Sequence, residues 1–288
     1  MSTFTLFLLT LTWFPLVLNA KIHWQPIAAL KQTLCNQSDL RELYKLVNEK
    51  NTPNLWIAGT RDPDSLKPLI KSLSFKKIVI SESDNKLFFH AQRTIKLNKK
   101  TTLLNSSPET LTTPFPLNLV LVNHSLDQKL PFEKRVSLES CLSNISKHLK
   151  KHGIVAGVIT TYDQDTYHEA TLKAINNVPF TDALADFPEP SGNITLGDME
   201  TQLKQTGFLI QTLKLNRKEK DFINEETFVN YLRAVSLEYR WIAHKNIRLA
   251  ERFIHCLSDE YRQLTQSNKK SLSIAENQII FVAKKAGS

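Results

Sequence analysis

Four places in this sequence put polar groups where chemistry could happen. The apolar run Leu55-Trp56-Ile57-Ala58 ends at Gly59-Thr60, and Val79-Ile80 ends at Ser81-Glu82. Leu119-Val120-Leu121-Val122 is followed by Asn123-His124. If these runs are strands, their polar ends gather at one sheet edge, where open α/β sheets hold ligands. The fourth place is Tyr239-Arg240-Trp241. A guanidinium among aromatic rings suits a carboxylate by bidentate pairing, although a surface arginine beside core aromatics would look the same. His148 and His152, four residues apart, could share a metal on one helix face or simply complement a helix C-terminus. No Gly-x-Ser-x-Gly elbow, Walker loop or zinc motif occurs. Cys35, Cys141 and Cys256 are odd in number and lack metal spacing, so the fold must stand on its core.

The elements that would position these groups follow from periodicity. Strand-like runs are Asn54–Ala58, Lys77–Ile80, Thr101–Asn105, Leu117–Val122, Ile154–Thr160, Phe208–Leu215 and Gln278–Lys284. Helical spacing appears at Ser38–Asn48, at Ser65–Leu73 with Pro68 in its first turn, and from Leu87 toward Arg93. Phe132–His152 reads as one long amphipathic helix stopped by Gly153. A helix begins near Thr166, and a polar, proline-interrupted stretch over Val178–Gly192 follows it. Thr195–Thr206 should be a helix ended by Gly207, with two more helices near Glu225–Tyr239 and Arg248–Leu264. Strands alternating with single helices imply right-handed crossovers and a parallel, doubly wound sheet.

Composition narrows the class. The 288 residues are 41% hydrophobic and 23% charged, a globular balance, with no internal repeat. Only 7 glycines occur, against about 20 for an average chain of this length, so folds built on several glycine-rich phosphate cradles are disfavoured. Residues 1–20 carry no charge, and Phe4–Leu18 is almost continuously apolar, ending at Val17-Leu18-Asn19-Ala20. That run is shorter than the roughly 20 residues a spanning helix needs. It reads as a signal peptide, with a membrane anchor or a buried helix as alternatives. Residues 21–288 would then form one domain, exported after cleavage. The net charge of +9 lies entirely beyond residue 20. Its clusters, Lys96-Lys99-Lys100, Lys147 to His152 and Arg217-Lys218-Lys220, could meet an anionic surface or an acidic protein. No aromatic-interleaved basic motif points to nucleic acid.

In order and spacing, the chain resembles class I methyltransferases, which use S-adenosylmethionine. Leu55 to Asp62 stands in the place of their glycine-rich first motif, and Val79 to Ser83 in that of the second strand and helix start. Leu119 to Leu126 resembles their fourth strand and its exit, and His148 to Gly153 their basic turn before the fifth. Phe222 to Trp241, Arg252 to Tyr261 and Gln278 to Lys285 are similar to the C-terminal part of trans-aconitate methyltransferases. Malonyl-carrier carboxyl methyltransferases are close relatives of those. The resemblance spans about residues 26–285. It implies a Rossmann-like sheet with the last strand antiparallel and inserted near the edge, under a helical C-terminal cover.

The same resemblance implies that the cofactor site is eroded. The family has an acid two positions before its first motif glycine, then three glycines; here Trp56, Ala58, Thr60 and Asp62 hold those positions, with Gly59 between. Ser81 stands where the ribose-binding acid belongs. Glu82 is adjacent, but on a continuing strand it points to the opposite face. Ser107 replaces the acid that contacts adenine, and Asn118 the acid that opens the fourth strand. The expected cofactor residues are therefore Ala58, Gly59, Thr60, Ser81, Glu82, Ser107 and Asn123, with S-adenosylmethionine held weakly or not at all. Arg240, Trp241 and His124 are expected on the substrate side, facing a small acidic molecule. No metal and no catalytic acid or base is expected, since methyl transfer in this class works by alignment and desolvation. The function these readings favour is an exported methyltransferase-fold protein, weakly active or acting by binding. The alternative is an active carboxyl O-methyltransferase for a small or lipid-like acid.

The charge-free stretch ending at Ala20 carries a direct expectation. Mass spectrometry of exported protein should find a mature chain starting close to Lys21; a chain starting at Met1 would show that the segment is retained.

Overall fold

The structure is a computed structural model and describes residues 54–60, 63, 66–67, 70, 75–95, 97, 99–123, 126, 137–161, 165–187, 194–266 and 272–287. The segment 1–20, the helix expected over Ser38–Asn48, and His124 lie outside the described residues. The first half of the fold comprises β1 (Asn54–Ala58), β2 (Lys77–Glu82), α1 (Asn85–Thr94), β3 (Thr101–Asn105), β4 (Leu117–Asn123), α2 (Leu138–His148) and β5 (Leu149–Thr161). Next come α3 (Thr166–Ile175), α4 (Val178–Ala183) and α5 (Leu196–Gln205), then β6 (Phe208–Phe222). Helices α6 (Glu225–Val235), α7 (Leu237–Lys245) and α8 (Ile247–Thr265) precede β7 (Leu272–Lys285). Between β1 and β2, Pro63, Leu66, Lys67 and Ile70 are helical, within or beside the expected helix.

The strands form one seven-stranded sheet in the order β3-β2-β1-β4-β5-β7-β6. Neighbours from β3 to β5 are parallel, and β7 runs antiparallel to both β5 and β6. This is the doubly wound, Rossmann-like methyltransferase architecture, with the last strand inserted next to the edge. Its centre is the uninterrupted apolar run of β4, where Leu119 to Val122 are fully buried between β1 and β5. Alternation splits these residues between two cores: Val120 and Val122 pack with Trp56 and Ala58 on one face, Leu119 and Leu121 with Leu55 and Ile57 on the other. A third core lies between the cover helices and includes Phe222, Leu272 and Ile274 from the far ends of β6 and β7.

Helix ends follow the sequence closely where caps are explicit. Asp84 accepts from the Leu87 N–H at 2.8 Å to start α1. Thr195 and Asp198 form a reciprocal capping box on α5, which ends before Gly207 at φ +82°.

Four boundaries differ from expectation. The long helix stops at His148; Leu149 is already extended and β5 starts there. His148 and His152 therefore do not share a helix face, and His152 sits at φ +64° in an irregularity between β5 and β4. Gly153 is not a helix stop: a Cβ there would lie 3.0 Å from the Lys150 carbonyl and 3.3 Å from that of Asn118. The helix expected over Glu225–Tyr239 breaks at Ser236, which closes α6 and caps α7 with its hydroxyl. The polar stretch after α3 contains the short helix α4. Finally, β6 and β7 run well past Leu215 and before Gln278, residues 272–276 pairing with residues 218–222 beyond the end of the β5–β7 ladder.

Gly157 in β5 is where the inserted strand closes on the parallel sheet. A Cβ there would meet the Phe281 ring at 2.5 Å and Val122 Cβ at 2.8 Å. Gly157→Ala is expected to cost about 1–3 kcal/mol through overpacking, read as a lower urea midpoint. Phe281→Leu in the same chain should recover part of that loss; two independent, additive losses would show that the ring is not what the methyl group meets.

Candidate functional site at the carboxyl edge

The chain leaves β1 through Gly59, whose φ of +91° is a conformation that glycine adopts without cost. Its N–H donates to the Ser81 carbonyl at 2.9 Å, which holds the turn against the end of β2. Thr60 follows and is fully buried. Both its backbone N–H (2.8 Å) and its hydroxyl (2.7 Å) donate to Oε2 of Glu82. The Asp84 N–H donates to Oε1 of the same carboxylate at 3.0 Å. Glu82 is only 1% exposed, and a carboxylate so placed requires such donors.

Ser81 and Glu82 divide as strand alternation demands. Ser81 lies on the face of Trp56 and accepts the indole N–H at 2.9 Å, both groups buried. The carboxylate at the end of β2 that faces the β1 turn is therefore that of Glu82, and the Ser81 hydroxyl is engaged inside the sheet face. Trp56 is fully buried among Ala58, Val79, Leu111 and Val120. At the resemblance's acid position stands a hydrogen-bond donor in an apolar cluster.

The remaining edge groups are spread along the sheet. Asn123 ends β4, 1% exposed and level with Val158 of β5. Ser107 opens the turn after β3: its carbonyl accepts from Thr110 and Leu111, and its hydroxyl lies 3.0 Å from that of Thr110. Asn144 of α2 pins this turn by donating to the Pro108 and Leu111 carbonyls, each at 2.9 Å. Asn118 is half-buried at the opposite edge, near the start of β4. Sequence reasoning missed Thr161, Asn277 and Gln278, all buried, where β5 meets β7 with Thr161 opposite Asn277 and Thr160 opposite Gln278. Their signal was available: each terminates an apolar run, as Ser81-Glu82 and Asn123 do.

The residues expected on the substrate side sit on the cover. Arg240 donates from Nη2 to the Ala234 carbonyl near the end of α6. Trp241 packs edge-on against Phe187 at 5.6 Å, and Lys245 Nζ lies 5.0 Å from its ring centroid. Beside them, the Tyr239 hydroxyl donates to Glu251 Oε1 at 2.8 Å, and Arg233 donates to Oε2 through Nε at 3.1 Å and Nη2 at 2.7 Å. Burial and the bond to Glu251 push the Tyr239 phenol up to about 12. Burial alone would raise Glu251, but the bonds from Arg233 and Tyr239 hold it below its ordinary value. Arg240 and Trp241 thus help build the cover. Among the described residues, no three His, Cys, Asp or Glu side chains cluster to hold a metal ion, and no helix is long and apolar enough to cross a membrane.

No protein-family model matches this sequence, and no curated protein is similar to it. Solved structures are similar in fold. A proposed methyltransferase from Bacillus halodurans is 18% identical, with a TM-score of 0.52 over 86% of this chain and 99% of that one. The YcgJ protein of Bacillus subtilis is 11% identical, with a TM-score of 0.54 over 88% and 100%. Mycolic acid cyclopropane synthase CmaA1, in complex with SAH and CTAB, is 10% identical, with a TM-score of 0.53 over 86% and 83%. At these identities the likeness is one of fold.

Glu238, just before these cover residues, supplies a pH signature. Burial pushes its carboxyl up, offset in part by backbone N–H groups at the start of α7, by the Ser236 hydroxyl (2.8 Å) and by Arg240. A carboxyl raised in the folded state binds its proton more tightly there than in the unfolded chain. The folded state is therefore penalised as pH rises through the ordinary carboxylate range and on to the raised value. Glu238→Gln removes that titration, so its thermal midpoint relative to wild type should climb with pH from about 4 upward. A difference that is flat or falls with pH would show that Glu238 is not held in this way.

Proposed function

We propose that this chain is a methyltransferase-fold protein whose S-adenosylmethionine cleft is closed by its own groups, so that it acts by binding and not by methyl transfer. The observation that carries this reading is the pair of Thr60 donors on Glu82 Oε2, at 2.8 and 2.7 Å. A ribose would have to compete for the same carboxylate, and the Thr60 side chain stands where the resemblance has a glycine. Trp56 and Ser81 satisfy one another inside the sheet face and offer no acceptor outward. The residues present therefore do not fit the cofactor. Export of the domain, suggested by the charge-free first 20 residues, agrees with this reading, because a cytosolic methyl donor is not expected outside the cell.

An active carboxyl O-methyltransferase is favoured by a different observation. Asn123, Thr161, Asn277 and Gln278 form a buried polar row at the carboxyl edge, and among the described residues Gln278 Oε1 has no hydrogen-bond partner. Such a row could orient a small acid without supplying an acid or base.

Calorimetric titration with S-adenosylmethionine separates the two. Wild-type protein should bind weakly or undetectably. Thr60→Gly removes one charge-assisted hydrogen bond from the carboxylate, worth about 1.5–3 kcal/mol, and should raise affinity roughly tenfold to a hundredfold. Glu82→Gln should erase that gain. Low-micromolar binding by the wild type, abolished by Glu82→Gln, would overturn the closed-cleft reading and leave the transferase.

A further inference from the structure

The fold sorts charge between the two edges of the sheet. Lys76, Lys99, Lys147, Lys150, Lys151 and Lys284 lie where β2, β3 and β5 begin, where α2 ends and where β7 ends, all at the amino edge. Five of the six are exposed and Lys284 is partly so. Among the described residues none of the six pairs with a carboxylate. The described carboxylates lie instead at the carboxyl edge, on helix starts facing it, or in the cover. The exception is Glu200, which is paired with Lys204. A lysine at a helix C-terminus, such as Lys147, is accounted for by the helix dipole. Lysines at strand starts, such as Lys76 and Lys150, have no such reason to be there. Two of the three basic clusters in the sequence thus become one surface, and the third, around Arg217 and Lys218, falls at the other end of the sheet.

This edge also carries apolar side chains. Leu97, before β3, is 46% exposed, and Leu209, at the start of β6, is 61% exposed. They bracket the row at its two ends, six strand spacings or roughly 29 Å apart. Among the described residues, Phe75 and Phe208 at this edge are buried and Phe115, just before β4, packs against the core, so no Phe, Tyr or Trp ring stands free there as a stacking platform for bases.

We infer that the amino edge docks this protein on an anionic lipid surface, lysines against headgroups and the two leucines against the acyl boundary. Lysine heads flanked by exposed apolar side chains suit that partner. This inference is independent of whether the cofactor cleft is closed.

The test is cosedimentation of the mature chain, starting at Lys21, with vesicles of phosphatidylcholine alone and of phosphatidylcholine with about a third phosphatidylserine. Wild-type protein should partition to the anionic vesicles, and the binding should weaken steeply between low and physiological salt. Neutralising Lys147, Lys150, Lys151 and Lys284 to Gln should lower the partition coefficient at least tenfold, since each lysine near such a surface contributes about fivefold. Neutralising Lys173, Lys218, Lys245 and Arg248 to Gln removes the same charge from the cover side and should change it less than threefold. Leu209→Ser should weaken binding with its salt dependence kept. Equal losses from both quadruple variants, matching circular dichroism being the control for folding, would overturn the proposal. So would equal binding to neutral vesicles, or a stronger, edge-dependent affinity for duplex DNA at the same salt.

Discussion

A carboxylate taken out of water must be met by donors, and the carboxyl edge of this sheet is arranged around that requirement at Glu82. The donors come from the turn that leaves β1 and from the start of α1, so one side chain ties that turn to the junction of β2 and α1, 22 residues further along the chain. The turn can supply them only because Gly59 takes a positive φ and swings Thr60 inward. Removing the carboxylate would leave buried donors behind, and removing the donors would leave a buried charge. Local stability and any ligand binding at this edge are therefore in competition for the same oxygen atoms.

Much of this was legible in the sequence, for a definite physical reason. Strands buried on both faces must be continuously apolar, so β1 and β4 could be placed nearly to the residue. Elements facing water on one side were harder. The ends of β6 and β7 form a ribbon whose outer positions on β6 are Arg217, Glu219 and Asp221, and that polar run resembles a loop until the partner strand is known. The start of β5 was hidden because Leu149-Lys150-Lys151-His152 continues the amphipathic pattern of α2. What ends the helix is tertiary: Lys285, 136 residues beyond Leu149, donates to the carbonyls of Ser146 and Leu149.

The arrangement at the end of β2 was legible to within one residue. Position suggested Ser81, and alternation said that Glu82 must point the other way, which it does; what the pattern could not reveal is that the other side is where the β1 turn waits. The buried polar ends of β5 and β7 went unread because single Thr, Asn and Gln residues at strand termini are common and carry no spacing. Arg240 and Trp241 are chemically suggestive in sequence; in the fold they meet Ala234, Phe187 and Lys245 within the cover.

The inserted strand has a consequence for how the molecule comes into being. β7 is the last described strand to be synthesised, yet it lies inside the sheet, between β5 and β6, and its Phe281 covers Gly157. Until it arrives, β5 has a bare apolar edge and β6 has no partner. The nascent chain therefore cannot complete its core, and stays in an open, incompletely paired state, until residues 272–285 have emerged. A polypeptide that delays its own closure in this way remains threadable through a narrow channel, and is also most exposed to aggregation during that interval.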